Sequence, residues 1–147
     1  MRLLFHENMS GAYHLLARPL EDRAAEASLD VSIERVRDFV RAPVLRVDGE
    51  VSLDGVATKR PCRGTIALRI ANEQRIPYDL HFTGDDGKPY QLYGQRDLTL
   101  PKLADALTTL PMSLCDDGGR EVGRAILRFD ARTELRQLLR SIRVKVR

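Results

Sequence analysis

The sequence predicts an all-β, mainly antiparallel domain, a barrel or a sandwich of about seven to nine strands with two or three short helices. Two observations carry this. Apolar residues recur at every second position in run after run, and the runs are separated by Gly/Asp-rich turn signals at short spacing. Helical periodicity is confined to a few short places, which is too little for βαβ alternation.

The first clear run is Ala27, Leu29, Val31 and Ile33, alternating with Ser28, Asp30 and Ser32, a strand with one face in a core and one in water. Leu45, Val47, Val51 and Leu53 continue the pattern, with Gly49 on the apolar face as a bend or bulge. Ile66, Leu68 and Ile70 form another set. Ile76, Tyr78, Leu80 and Phe82 then lead through Gly84-Asp85-Asp86-Gly87-Lys88-Pro89 into Tyr90, Leu92 and Gly94, the pattern of a β-hairpin whose Asp-Gly supplies the left-handed backbone of a tight turn. Pro77 cannot donate to a ladder and so argues for an edge or for the opening of its strand. A second hairpin is expected between Met112–Cys115 and Glu121–Phe129 through Asp116-Asp117-Gly118-Gly119. The opening segment offers one or two strands, Leu3–Glu7 and Ala12–Ala17, around Gly11.

Helical spacing is read over Ser32–Val40, over Pro101–Leu110 behind an N-terminal proline, and over Leu135, Leu138, Leu139 and Ile142. Asp130 is placed to cap the last of these, and Arg136, Arg140 and Arg143 lie toward its end, where the helix dipole favours cations. Val144 and Val146 suggest a final strand. There is no repeat, low-complexity tract or linker, and 147 residues with 43% hydrophobic and 31% charged side chains read as a single β domain over residues 1–147.

A formal charge of +3, with arginines scattered singly among acids and aromatics at only 5%, argues against nucleic acid. The apolar run Met1–Phe5 is too short for a secretory core or a membrane span, so the expected address is cytoplasmic. Cys62 and Cys115 have no metal spacing and read as small buried thiols. No GxSxG, HExxH, GxGxxG or Walker pattern occurs, so no flavin, nucleotide or metal cofactor is expected.

Few residues stand out as chemistry. His6 and His14 flank Gly11, and His81 lies on the face opposite Tyr78, Leu80 and Phe82 as a solvated strand residue. Asp85, Asp86, Asp116 and Asp117 belong to turns. Glu7 differs, because its phase puts it on one face with Phe5 and Met9. If that face is inward, Glu7 needs an arginine partner or a raised pKa, and it is the one candidate catalytic residue. A barrel lined by Leu68, Ile70, Tyr78, Leu80, Phe82, Leu92 and Phe129 could hold an apolar ligand, although the same residues could equally fill a core.

Several short motifs occur in a telling order: Phe5, Glu7, Met9 and Gly11; Val36-Arg37-Asp38-Phe39-Val40; Tyr78 and Phe82 before Asp86-Gly87; Tyr90-Gln91-Leu92-Tyr93-Gly94; Thr108-Thr109-Leu110; Ala125-Ile126-Leu127-Arg128; and Leu138–Val144. In this order the chain resembles a bacterial accessory domain attached to, or associated with, cholesterol-oxidase-like flavoproteins of the glucose-methanol-choline (GMC) oxidoreductase family. The resemblance implies a GMC-type flavoprotein partner and a sterol or lipid-like ligand, and it implies no catalytic residue here, since flavin and catalytic base belong to the oxidase portion. The expected function is therefore a non-catalytic accessory or apolar-ligand-binding domain. Its alternative is a small β-barrel enzyme, of isomerase or cyclase type, using Glu7 or a histidine as base and a tyrosine as acid.

Overall fold

The computed structural model describes residues 2–33, 37, 43–69, 73–98 and 108–129. They form eight antiparallel strands: β1 (Arg2–Leu15), β2 (Arg23–Ile33), β3 (Val44–Leu53), β4 (Ala57–Ala67), β5 (Arg75–Thr83), β6 (Pro89–Asp97), β7 (Thr109–Cys115) and β8 (Glu121–Phe129). Each strand pairs with its sequence neighbour, and β8 returns to β1 through Met9↔Phe129 to Leu15↔Gly123. The sheet is thus a closed up-and-down barrel and not a sandwich.

Closure follows from the alternation. In β5 the buried residues are Ile76, Tyr78, Leu80 and Phe82, and in β3 they are Leu45, Val47, Val51 and Leu53, so each strand turns one apolar row inward. The outward row of β2 carries Glu26, Ser28 and Asp30. An apolar inside and a polar outside is the reverse of a barrel that crosses a membrane. No helix among the described residues is long and apolar enough to cross one either.

Both expected hairpins are present. Gly87 has φ +79°, the Gly84 N–H bonds the Lys88 carbonyl at 2.9 Å, and Asp86 Oδ1 accepts the Lys88 N–H. At the β7–β8 turn Gly119 has φ +77°, and Asp116 Oδ1 accepts the N–H groups of Gly118 and Arg120. The two turns work alike: an aspartate ties down backbone donors while glycine takes the left-handed residue.

Closing eight strands demands strong coiling, and inward glycines permit it. A Cβ built on Gly49 would overlap the Ser28 carbonyl oxygen, and one on Gly64 would overlap that of Asp79. At these points one backbone presses directly on its neighbour, so the bend expected at Gly49 belongs to a repeated device. Proline is accommodated by position. Pro77 lies in β5 opposite Gln95 of β6 but one residue beyond the β4–β5 ladder, which starts at Ile66↔Tyr78. It is therefore near the strand opening, and not at a sheet edge, since the closed barrel leaves none.

Three expectations are corrected. The opening segment is one strand, Arg2–Leu15, and Leu16 and Ala17 lie beyond it. Ser32 and Ile33, read as the start of a helix, extend β2, where Ser32 pairs with both Leu3 and Arg46. Thr109 and Leu110, read as the end of a helix, open β7, where Leu110 pairs with Leu127. An apolar residue such as Ile33 satisfies both periodicities, and cross-strand pairing decides between them. No helix of the expected lengths is present among the described residues; apart from Arg37 and Thr108, the rest of the first two helical segments lies outside them, as do the C-terminal helix Leu135–Ile142 and the strand at Val144 and Val146.

Candidate functional site

Among the described residues two charged side chains, Glu7 and Arg96, are buried inside the barrel. Glu7 of β1 is in phase with Phe5 and Met9 and is 2% exposed, as the alternation requires once that face turns inward. Its partner is Arg96 of β6, also 2% exposed, whose Nη2 donates to Glu7 Oε1 at 3.0 Å. From β5 the Tyr78 hydroxyl donates to the same carboxylate, 3.2 Å from Oε1 and 3.1 Å from Oε2. The Arg96 guanidinium carbon lies 3.7 Å from the ring centroid of Phe129 and 5.5 Å from that of Tyr78. Two aromatic faces thus share the cation with the carboxylate.

The cluster lies toward the barrel end where β1 and β5 begin and β6 and β8 finish. Burial first, and then the negative charge of Glu7, push the Tyr78 hydroxyl well above the usual tyrosine range. Tyr78 therefore keeps its proton and acts as a donor. Arg96 and Tyr78 both donate to the anion, and the cation has an anion and two rings, while its Nε is buried without a hydrogen-bond partner among the described residues.

Of the residues expected to line a ligand site, Leu68, Tyr78, Leu80, Phe82, Leu92 and Phe129 all face inward and are buried. They do not form one site. Tyr78 and Phe129 surround Arg96, whereas Phe82 stacks on Tyr90 at 5.6 Å toward the opposite end. Ile70 lies outside the described residues. Among the histidines, His81 is exposed on the outer wall with Nε2 3.1 Å from Asp79, as expected, and His6 is engaged by Asp30. No group of three or more His, Cys, Asp or Glu is placed to hold a metal among the described residues.

Arg96 was not singled out by the sequence reading, although a signal existed. It continues the phase of Leu92 and Gly94, and an arginine on an inward row is the counterpart that Glu7 demands.

No family model, curated protein or solved structure matches the chain. A second surface feature is an open groove of about 770 Å³ on the outer wall across β5 to β8 and β1. Pro111 lines it beside Tyr93 and Ile126, which are 44% and 51% exposed, and Arg75 and Arg124 flank them.

Both thiols are free and buried. Burial, with smaller contributions from Asp48 and Glu50, pushes Cys62 up to about 11. Its thiolate is scarce at neutral pH, so we expect Cys62 to react with a maleimide or an aromatic disulfide at pH 8 only on the timescale of unfolding. Free-thiol titration with and without urea measures this, and rapid labelling of Cys62 in the native protein would contradict it. Because the folded pKa is raised, the thiol's contribution to stability is complete below its ordinary value of 9.0 and is lost as pH rises toward 11.

Proposed function

We propose that this protein is an accessory domain whose barrel interior is non-catalytic and binds an apolar, hydroxyl-bearing molecule, and that it serves a GMC-type flavoprotein oxidoreductase in the cytoplasm. The observation that carries the ligand reading is the barrel itself: an apolar interior inside a sheet closed round its circumference, with a buried polar cluster toward one end. Eight-stranded barrels of this kind either fill with side chains or hold one small ligand. An inward ion pair costs desolvation energy that apolar residues at the same positions would not, so its presence calls for a role beyond packing.

The cluster also selects a head group. A hydroxyl can donate to the Glu7 carboxylate and accept from Arg96 or Tyr78, which suits an anion and a cation side by side. A carboxylate head would meet Glu7 as a like charge. A sterol or a long-chain alcohol therefore fits better than a fatty acid. The flavoprotein partner rests on the order of motifs along the chain, and the groove carrying Tyr93 and Ile126 offers a partly apolar face on which such a partner can dock.

Thermal unfolding with added cholesterol, oleyl alcohol or oleic acid tests the ligand reading. Saturating alcohol is expected to stabilise the fold by mass action, about 2.7 kcal/mol at a hundredfold excess over Kd, and oleic acid to do so far less. Glu7→Gln removes the like charge and is expected to turn the preference toward the acid. No shift with any of the three would refute carriage and leave docking.

The enzyme alternative gains one observation, the Tyr78 hydroxyl within hydrogen-bond reach of Glu7. Arg96 holds the same carboxylate, however, and makes it a counter-ion in place of a base. Turnover abolished by Glu7→Gln but retained in Arg96→Met would favour catalysis over carriage.

A further inference from the structure

The outer wall of β1 and β2 holds a constellation that the interior site does not use. Outward positions of paired antiparallel strands stand side by side, and the register sets His6 opposite Asp30 and Asn8 opposite Ser28. His6 Nδ1 lies 2.7 Å from Asp30 Oδ1, and His6 Nε2 lies 3.0 Å from Ser28 Oγ. A hydroxyl nucleophile is thus within hydrogen-bond reach of an imidazole, and a carboxylate orients that imidazole through its other nitrogen, which are the relations by which a nucleophilic triad is recognised on any fold.

We propose that Ser28, His6 and Asp30 form an acyl-transfer site on the barrel wall that takes small carboxylic esters with good leaving groups. Asn8 supplies the fourth part. Its amide oxygen lies 3.0 Å from His6 Nε2 and 3.1 Å from Ser28 Oγ. That orientation suits an imidazolium, which donates from both nitrogens. When His6 is neutral and Nδ1 donates to Asp30, Nε2 is an acceptor, and a half-turn of the amide presents its N–H instead. In that state Asn8 sets a donor beside the nucleophile, where the oxyanion of a tetrahedral intermediate would form.

The chemistry closes without any further reagent than water. Ser28 Oγ bonds to the acyl carbon while its proton passes to His6 Nε2; the bond to the leaving oxygen breaks and that oxygen takes the proton. Water repeats the sequence, releasing the carboxylic acid and restoring the Ser28 hydroxyl. Ring and carboxylate are solvent-accessible, with side chains 45% and 57% exposed. The site therefore has no deep acyl pocket and excludes little water, which limits it to small, reactive esters and to slow turnover.

The test uses the full chain with p-nitrophenyl acetate and, separately, a fluorophosphonate probe. Expected are nitrophenolate release above the buffer rate and a single adduct located at Ser28 by peptide mass spectrometry. Ser28→Ala and His6→Gln should each lower the rate at least about tenfold and abolish the adduct, within the contribution of a positioned base. Ser28→Cys should be acylated at the same position. Asp30 acts through His6 as a positioning residue, so Asp30→Asn should slow acylation and Asp30→Glu should recover part of it. All these side chains face outward, and unchanged thermal melts will show that each variant folds. An adduct elsewhere, or a rate that survives Ser28→Ala in a folded protein, would overturn the proposal and leave the four residues as a polar cross-strand ladder.

Discussion

Arg96→Met is expected to destabilise the barrel by about 3–5 kcal/mol, because it leaves the Glu7 carboxylate buried without its cation. The methionine keeps much of the apolar stem, so loss of packing contributes little. Removing both charges should behave differently. In Glu7→Leu with Arg96→Met no buried charge remains, but the Tyr78 hydroxyl loses its acceptor, a penalty of about 1–3 kcal/mol for an unsatisfied buried group. Adding Tyr78→Phe should bring stability back to the wild-type level or above it. Urea denaturation, read from midpoints with a constant slope, measures all four proteins. If Arg96→Met costs under about 1 kcal/mol, the pair is not acting as a buried ion pair in a low-dielectric interior.

Gly64→Ala is expected to cost about 3 kcal/mol, at the upper end of overpacking penalties. The added methyl would occupy the place of the Asp79 carbonyl oxygen on β5, and that oxygen is backbone and cannot rotate away. Either β4 and β5 separate around the Gly64↔Leu80 pair or the coil of the barrel relaxes. Gly87→Ala makes a useful contrast. A Cβ there meets nothing within 4 Å, so its cost should come only from the left-handed backbone at φ +79° and be nearer 1 kcal/mol. Equal penalties at the two positions would show that backbone conformation, and not close approach of strands, is what the inward glycines serve.

The inward glycines and the Glu7 cluster mark how far one-dimensional reasoning reaches. Strand identity was legible because side chains alternate strictly along an extended chain. Ile76, Tyr78, Leu80 and Phe82 declare their shared face without reference to any other strand. The hairpin turns were legible for a similarly local reason: Asp86-Gly87 and Asp116 with Gly119 carry the hydrogen-bonding side chain and the permissive backbone within a few residues. Phase likewise placed Glu7 on an inward row and so demanded a partner for it.

Which partner, and at what range, depends on strands far apart in sequence. Arg96 and Tyr78 meet Glu7 only because β5, β6 and β8 curl round until β8 pairs with β1. That closure is a global property of strand number, coil and register, and alternation alone is equally compatible with a sandwich. The same limit explains the helical readings that Ser32, Ile33 and Leu110 overturned, where a short apolar run obeys two periods and only the neighbouring strand chooses. It also explains why the sequence does not join Ser28 and Asp30 to His6. As single outward residues they are ordinary strand polarity, and the register of β1 on β2 is what brings Asp30 Oδ1 and Ser28 Oγ each within 3.0 Å of a His6 ring nitrogen. Amino-acid order determined which face each side chain takes, because that is decided within one strand; tertiary structure decided which side chains meet, because that requires the barrel to close.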